Sequence, residues 1–330
     1  MKVIFDRGIY LPELDLWLDS GRKKESGFIS HAHSDHTARH ARPVITRNTH
    51  LLLAEYLKKS NPIVLEYHEP LETEKYSLTL YQAGHCLGSA QALVVSKITG
   101  ERLLYTGDFK SRASPVNEPL EPVSCDVLVM EATYGRPQYT FPDQEQVIAT
   151  AVKTLRQWLS MGLRPVVRGW RLGKSQEILH YLLSEGLDVA MEESCYRVAE
   201  VYQEAGVEFP GSFSCLDGQW PEGRVVICPP GRKSGMVLDK FRRKRVMELT
   251  GWAVGCGQNW GRRGDASLPY SDHADFNELV TYVNSIRPKQ VFTVNGFPDL
   301  ASHLRAQGYK AVHLDGKSQP PDVGHQLKLI

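Results

Sequence analysis

No apolar run in this 330-residue chain approaches the ~18 residues that a membrane span requires. The N-terminal Met1-Lys2-Val3-Ile4-Phe5-Asp6 reaches an acidic residue before the apolar core of a secretory signal can develop. A cytoplasmic protein with no membrane partner is the expectation. Cysteine is sparse: six residues, Cys86, Cys125, Cys195, Cys215, Cys228 and Cys256, lie scattered without a CxxC pair. That spacing argues against a thiolate zinc knuckle and a disulfide framework, and for reduced thiols. Net charge is also nearly absent, at +1 from 39 basic and 38 acidic residues, so no global field announces a polyanionic partner. Internal repeats and low-complexity segments are missing.

The apolar content of 42% and charged content of 23% are ordinary for a globular protein, and the length suggests about two domains of the usual ~100–200 residues. Charge is uneven, however. Residues 231–245 (GRKSGMVLDKFRRKR) carry seven Lys/Arg against one Asp, and Arg262 and Arg263 follow, a cluster that could neutralise phosphates or simply form a solvated helix face.

The first 135 or so residues read as short strands separated by turns. Ser77–Tyr81 and Ala92–Val95 alternate, and Leu103–Thr106 and Val127–Met130 are short buried-type runs. His50–Leu57 reads as helical. Beyond Thr133-Tyr134-Gly135-Arg136-Pro137, helix Gln144–Leu159, strand Pro165–Val167 and helix Ser175–Leu183 give the βα alternation of a parallel sheet, which ends near Thr250-Gly251-Trp252. The tail resumes with a helix over Asp275–Ile286 and strands at Gln290–Val294 and Ala311–Leu314.

The densest chemistry lies at His31-Ala32-His33-Ser34-Asp35-His36, directly after the apolar strand end Gly27-Phe28-Ile29-Ser30. His31 and His33 alternate, so an extended or tightly turned backbone aims both rings at one point. Asp35 and His36 follow where the chain is expected to turn into a helix, and can serve a second point nearby. Imidazole nitrogen and carboxylate oxygen without thiolate form the ligand set of a hydrolytic zinc or manganese centre. Paired ions ~3.5–4 Å apart clamp the attacking and leaving oxygens of a phosphoryl transfer. His85 in AGHCLGS and Asp108 in TGDF, each at a strand end, extend the set, and Asp108 can bridge both ions. Gly169-Trp170-Arg171-Leu172-Gly173-Lys174-Ser175 imitates a phosphate-cradling loop but has one residue too few between its glycines, which excludes that reading.

In this order the residues resemble the metallo-β-lactamase superfamily. Glu131 in MEATYG, the run Leu172-Gly173-Lys174-Ser175-Gln176-Glu177 and Ser271-Asp272-His273-Ala274-Asp275 are similar to the signatures of its β-CASP nucleases. With Asp6-Arg7-Gly8-Ile9-Tyr10, Cys228-Pro229-Pro230 and Arg262-Arg263, the likeness narrows to bacterial β-CASP exonucleases associated with DNA ligase and helicase. It implies an α/β fold: a metallo-β-lactamase αββα sandwich from residues 1–140 and 255–330, with an inserted α/β β-CASP domain over 141–254. It further implies two divalent ions, zinc or alternatively manganese. His31, His33, His85 and Asp108 would hold the first, and Asp35, His36 and the shared Asp108 the second. Asp35, His273 and its support Glu131 would form the catalytic group, with His273 protonating the leaving 3′ oxygen. Ser89, Arg168, Arg171 and Lys174 are candidate substrate contacts, and Trp170 could stack on a base if it faces the cleft, or sit half-buried in a surface turn.

One departure bears on the metal. The RNA-cleaving β-CASP enzymes place a further histidine after the strand that follows SDHAD; here Asn295 stands there, as Artemis-like DNA nucleases also lack it. An amide is a weak ligand, so the second ion is expected to bind less tightly. The resemblance implies a single-stranded DNA exonuclease acting in DNA repair. The rivals are a β-CASP ribonuclease that processes RNA, a small-molecule metallohydrolase, and a metal-poor protein that only binds nucleic acid.

Overall fold

The alternating runs of the N-terminal third assemble into two sheets, described, like the rest of the chain, by a computed structural model covering residues 1–254 and 265–315. The first sheet follows chain order: β1 (Ile4–Phe5), β2 (Ile9–Leu11), β3 (Leu16–Leu18), β4 (Ser26–Phe28), β5 (Arg42–Thr46) and β6 (Ile63–Leu65), with helix α1 (Arg47–Leu53) between the last two. The second starts with an antiparallel series, β7 (Pro70–Glu72), β8 (Tyr76–Gln82), β9 (Ala90–Ser96) and β10 (Arg102–Tyr105), then adds β11 (Val127–Ala132) in parallel.

The chain then leaves this sheet. Helix α2 (Gln144–Ser160), β12 (Arg164–Arg168), α3 (Lys174–Ser184), β13 (Val189–Met191), α4 (Glu193–Glu204), β14 (Phe213–Cys215), β15 (Val225–Cys228), α5 (Arg232–Asp239), β16 (Lys244–Leu249) and β17 (Ala266–Leu268) build a third sheet, parallel throughout, in the order β14-β13-β15-β12-β16-β17. Its edge strand β17 lies past the Val254 limit expected for the insert. The chain returns through α6 (Phe276–Ile286), β18 (Gln290–Gly296), α7 (Asp299–Ala306) and β19 (Ala311–His313), and β18 pairs in parallel with β11.

Side-chain alternation explains the layering. Leu103, Tyr105, Val127 and Val129 point into a core shared with Leu16, Leu18, Phe28 and Val44 of the first sheet. Their neighbours Leu104, Leu128 and Met130 face outward and are covered by Leu279 and Val283 of α6 and by Leu300 and Leu304 of α7. These two sheets with helices outside are the αββα sandwich. In the third sheet Val167, Met191, Ile227 and Met247 face α2, α3 and α4, whereas Val166, Ala190, Val226 and Val246 face Leu238 of α5. Tyr202 of α4 is buried among Ile29, Ile45, Leu53 and Leu87 of the sandwich, and its hydroxyl accepts a hydrogen bond from the Leu87 amide at 3.1 Å. The insert is thereby docked on the sandwich. No helix among the described residues is long and apolar enough to cross a membrane.

Residues 31–36 form a turn and not the expected start of a helix, with the His36 amide donating to the His33 carbonyl at 3.2 Å. His36 is instead held between Asp19 and Asp108, and the chain runs on through residues 37–41 without helical hydrogen bonds. Arg262, Arg263 and Cys256 lie outside the described residues.

Candidate metal centre

Four loops and two strand ends at one end of the sandwich supply the polar groups. The β4 end gives His31, His33, Asp35 and His36. The β8–β9 turn gives His85, with the Ser89 hydroxyl accepting from the His85 and Cys86 amides at 3.1 and 3.2 Å. Gly84 holds φ +75° there, and a Cβ on it would lie 2.3 Å from the Lys110 carbonyl oxygen, so only glycine lets the turn close. Asp108 follows β10, Glu131 lies in β11, and His273 precedes α6. Asn295 ends β18 at a register shift against β11; the adjoining Gly296 is required because a Cβ would overlap the Ala132 carbonyl.

Each of the first three imidazoles has one nitrogen committed away from the centre. His31 Nδ1 lies 2.9 Å from Ser30 Oγ, whose own hydroxyl donates to Asp19 Oδ2 at 2.6 Å, so the ring must be the donor to Ser30. His85 Nδ1 donates to the Asp272 carbonyl at 2.7 Å, and His33 Nε2 to the Leu172 carbonyl at 3.2 Å. The remaining nitrogens therefore carry lone pairs, and they face one another: His31 Nε2 and His85 Nε2 lie 2.9 and 3.0 Å from His33 Nδ1. Three lone pairs at such distances repel unless a cation sits among them. This donor set fits a divalent ion held by neutral imidazoles, with tautomers fixed by outer hydrogen bonds. Burial lowers the pKa of all three, that of His85 to about 3 with help from neighbouring rings, so the neutral form is the one present. His31, His33, His85 and Asp108 offer ligand atoms within 4.8 Å of one another, and Asp108, Glu131 and His273 form a second such group.

Asp108 lies at the junction. Its Oδ2 is 3.2 Å from His36 Nε2, 3.8 Å from His31 Nε2 and 4.0 Å from His273 Nδ1. Burial opposes its charge, yet His36 and His273 hold its pKa well below the usual carboxylate value. Asp35 Oδ2 stands 3.8 Å from His36 Nε2, and its side chain is 78% exposed. His273 Nδ1 is 3.0 Å from Glu131 Oε2, which leaves the other ring nitrogen unengaged by Glu131. Burial disfavours the charged ring, but the Glu131 and Asp108 carboxylates prevail and raise its pKa to about 9.

Composition and motif reading missed Asp19. This buried carboxylate receives the Ser30 amide at 2.7 Å, the Tyr105 hydroxyl at 2.9 Å and His36 Nδ1 at 2.7 Å, so it anchors both the His31 and His36 sides of the centre. A single Asp after an apolar strand carried no signal for this role.

A cavity of about 420 Å³ opens from the centre between sandwich and insert, lined among others by His33, Asp35, Asp108, Trp170, His273 and Asn295. Of the four candidate substrate contacts, Lys174 lines it, buried and 3.1 Å from Asp272 Oδ1. Ser89 is buried beneath the His85 turn, Arg168 pairs with Glu248 at 3.1 Å, and Arg171 is exposed; these three are not on the cavity wall. A second ion pair crosses the same junction in the opposite sense, Lys110 Nζ to Glu177 Oε1 at 2.6 Å, with side chains 0% and 2% exposed. Lys110→Met would strand the Glu177 charge, and the expected loss is about 3–5 kcal/mol of folding stability in urea titrations. Adding Glu177→Leu should recover most of it.

Residues 266–315 match a domain described as a Zn-dependent metallo-hydrolase RNA specificity domain. The chain is 36% identical over 332 residues to a probable DNA ligase of Opitutus terrae, covering 97% of this chain and 32% of that protein. It is 25% identical over 298 residues to the DNA cross-link repair 1A protein of Mus musculus, covering 81% of this chain and 28% of that one. The chain thus spans about a third or less of the length of either relative. A crystal structure of a protein of unknown function from Enterococcus faecalis V583 shares the fold, with TM-score 0.55, 13% identity and coverage of 81% of this chain and 74% of that chain.

Proposed function

The chain belongs to the metallo-β-lactamase β-CASP family, and we propose that it is a metal-dependent phosphodiesterase that degrades single-stranded DNA from an end. The convergence of three imidazole lone pairs beside Asp108, with the His273–Glu131 pair across the same cavity, carries this reading. In this assignment His31, His33, His85 and Asp108 would hold one divalent ion, and Asp35, His36 and the shared Asp108 would hold another, zinc or alternatively manganese. Such ions neutralise charge on a phosphodiester and activate the water that attacks it.

The protein's own residues do the rest. Glu131 orients the His273 ring through Nδ1 and keeps it protonated, so that the opposite nitrogen donates a proton to the departing 3′ oxygen. Asp19 fixes His36, and the Asp272 carbonyl fixes His85, so the donors stand ready before substrate arrives. The insert, over 141–254 in the proposed division, forms the wall opposite the sandwich and confines the strand to the cavity. DNA as substrate, a place in repair and association with a ligase are supported by the likeness to proteins named for DNA ligation and cross-link repair. The match at 266–315 to a domain named for RNA specificity favours RNA as the second reading.

Time courses on 5′- and 3′-labelled single strands of DNA and RNA, with zinc or manganese, test this. Stepwise shortening of DNA from one end, abolished by chelator, is the expected outcome; faster loss of RNA would favour the second reading, and inert DNA and RNA would refute both. Asn295 stands on the cavity wall beside Asp35 and His36, where an amide is a poor ligand. Metal analysis after exhaustive dialysis should therefore find close to one ion per chain, with the second restored by added metal; two equally retained ions would contradict that.

A further inference from the structure

Trp170 is not used by the mechanism above, and its position is unusual. The residue is 60% exposed, yet it lines the cavity together with His33, Asp272 and His273. An indole left in water beside so polar a centre loses burial that a smaller residue would not forgo.

The backbone on both sides of it is fixed. The Gly169 amide donates to the Cys228 carbonyl at 3.2 Å, and the Ser175 amide to the Trp170 carbonyl at 3.1 Å. Gln176 Nε2 donates to the Arg171 carbonyl at 3.0 Å. The backbone that carries the ring is thus tied down on both sides, so no ordering of the loop is needed before a flat partner settles on it.

The topology of the third sheet supplies an independent argument. From β12 the chain crosses through α3 toward β13, on one side; from β15, its neighbour, it crosses through α5 to β16, on the other. The two helices lie on opposite faces, α3 with Ile178 and Leu179, α5 with Leu238. Adjacent parallel strands whose connections leave to opposite faces of the sheet have a crevice at their carboxyl ends, the usual ligand position in open α/β sheets. Trp170, two residues past the carboxyl end of β12, also lines the catalytic cavity.

The geometry points to a base-stacking subsite: the Trp170 indole receives the face of one unpaired nucleobase of the strand being cut. This deepens the nuclease reading and rests on it. Stacking on an aromatic face tolerates any base but requires that the base be unpaired, so the subsite selects single strands without selecting sequence. Stacking of this kind is worth ~1–3 kcal/mol per base, a factor of about 5 to 150 in affinity.

The test combines Trp170→Ala and Trp170→Phe with oligonucleotides carrying a tetrahydrofuran abasic residue at successive positions from the labelled end. Trp170→Ala should raise KM about 5- to 150-fold with a smaller change in kcat, and Trp170→Phe should restore most of the loss. At one position, the abasic residue should cost the wild type a similar factor and cost Trp170→Ala almost nothing more. An unchanged KM in active Trp170→Ala, or penalties that multiply at every position, would overturn the subsite. Quenching of 2-aminopurine oligonucleotides in chelator, where no cleavage occurs, separates the two claims. Quenching that Trp170→Ala abolishes, in a protein that cuts nothing, would sink the nuclease reading and keep the subsite; absence of quenching in the wild type would sink the subsite.

Discussion

Asp108→Asn should leave the protein folded and its nuclease activity below detection. The substitution is nearly isosteric, and Asp108 lies in a loop after β10, so the sheet cores are untouched. Its effect falls on charge. Oδ2 is the atom that faces His36, His31 and His273 at 3.2, 3.8 and 4.0 Å, a position from which a carboxylate could serve both proposed ions. An amide offers one neutral oxygen there and leaves the histidines without their counter-charge. Circular dichroism should show native secondary structure, while metal analysis finds at most one weakly held ion and labelled DNA stays intact. Retained cleavage would remove Asp108 from the centre.

His273→Ala is the second large effect, a fall of ~10²–10⁴-fold in kcat, the usual contribution of a general acid. The origin is specific. His273, like His36, is a ring that buried carboxylates keep protonated, whereas the three facing imidazoles are held neutral by burial. An acid matters most when the leaving group is a poor one. The deficit should shrink sharply on a p-nitrophenyl ester of a nucleotide, whose phenolate departs without a proton, and an equal deficit on both substrates would point to a structural role instead. Glu131→Gln, which keeps the side chain but removes the charge that raises the ring's pKa, should lose less than His273→Ala.

Much of this centre was legible in the sequence because its residues sit in short runs at strand ends. HxHxDH, His85, Asp108 and the SDHAD histidine are each a local pattern, and the sheet registers that gather them follow from alternating strands. Three things were not legible. Asp19 acquires its role only when β3 and β4 pair and carry it to Ser30 and His36, a contact with no local trace. The ion pairs Lys110–Glu177 and Lys174–Asp272 join segments far apart in sequence, and each member alone looks like a surface charge. The turn at 31–36 was expected to lead into a helix, but His36 is held between Asp19 and Asp108, partners distant in sequence that leave no local trace. Trp170 was undecided for a similar reason: whether it faced solvent or cleft depended on how α3 and α4 dock the insert against the sandwich.

The most direct test is diffraction from crystals grown with zinc, using data collected on both sides of the zinc absorption edge. One strong anomalous peak is predicted among His31 Nε2, His33 Nδ1 and His85 Nε2, with a weaker one between Asp108 and the His36–Asp35 pair. Zinc bound only elsewhere, with those three nitrogens still facing an empty point, would contradict the assignment of this centre.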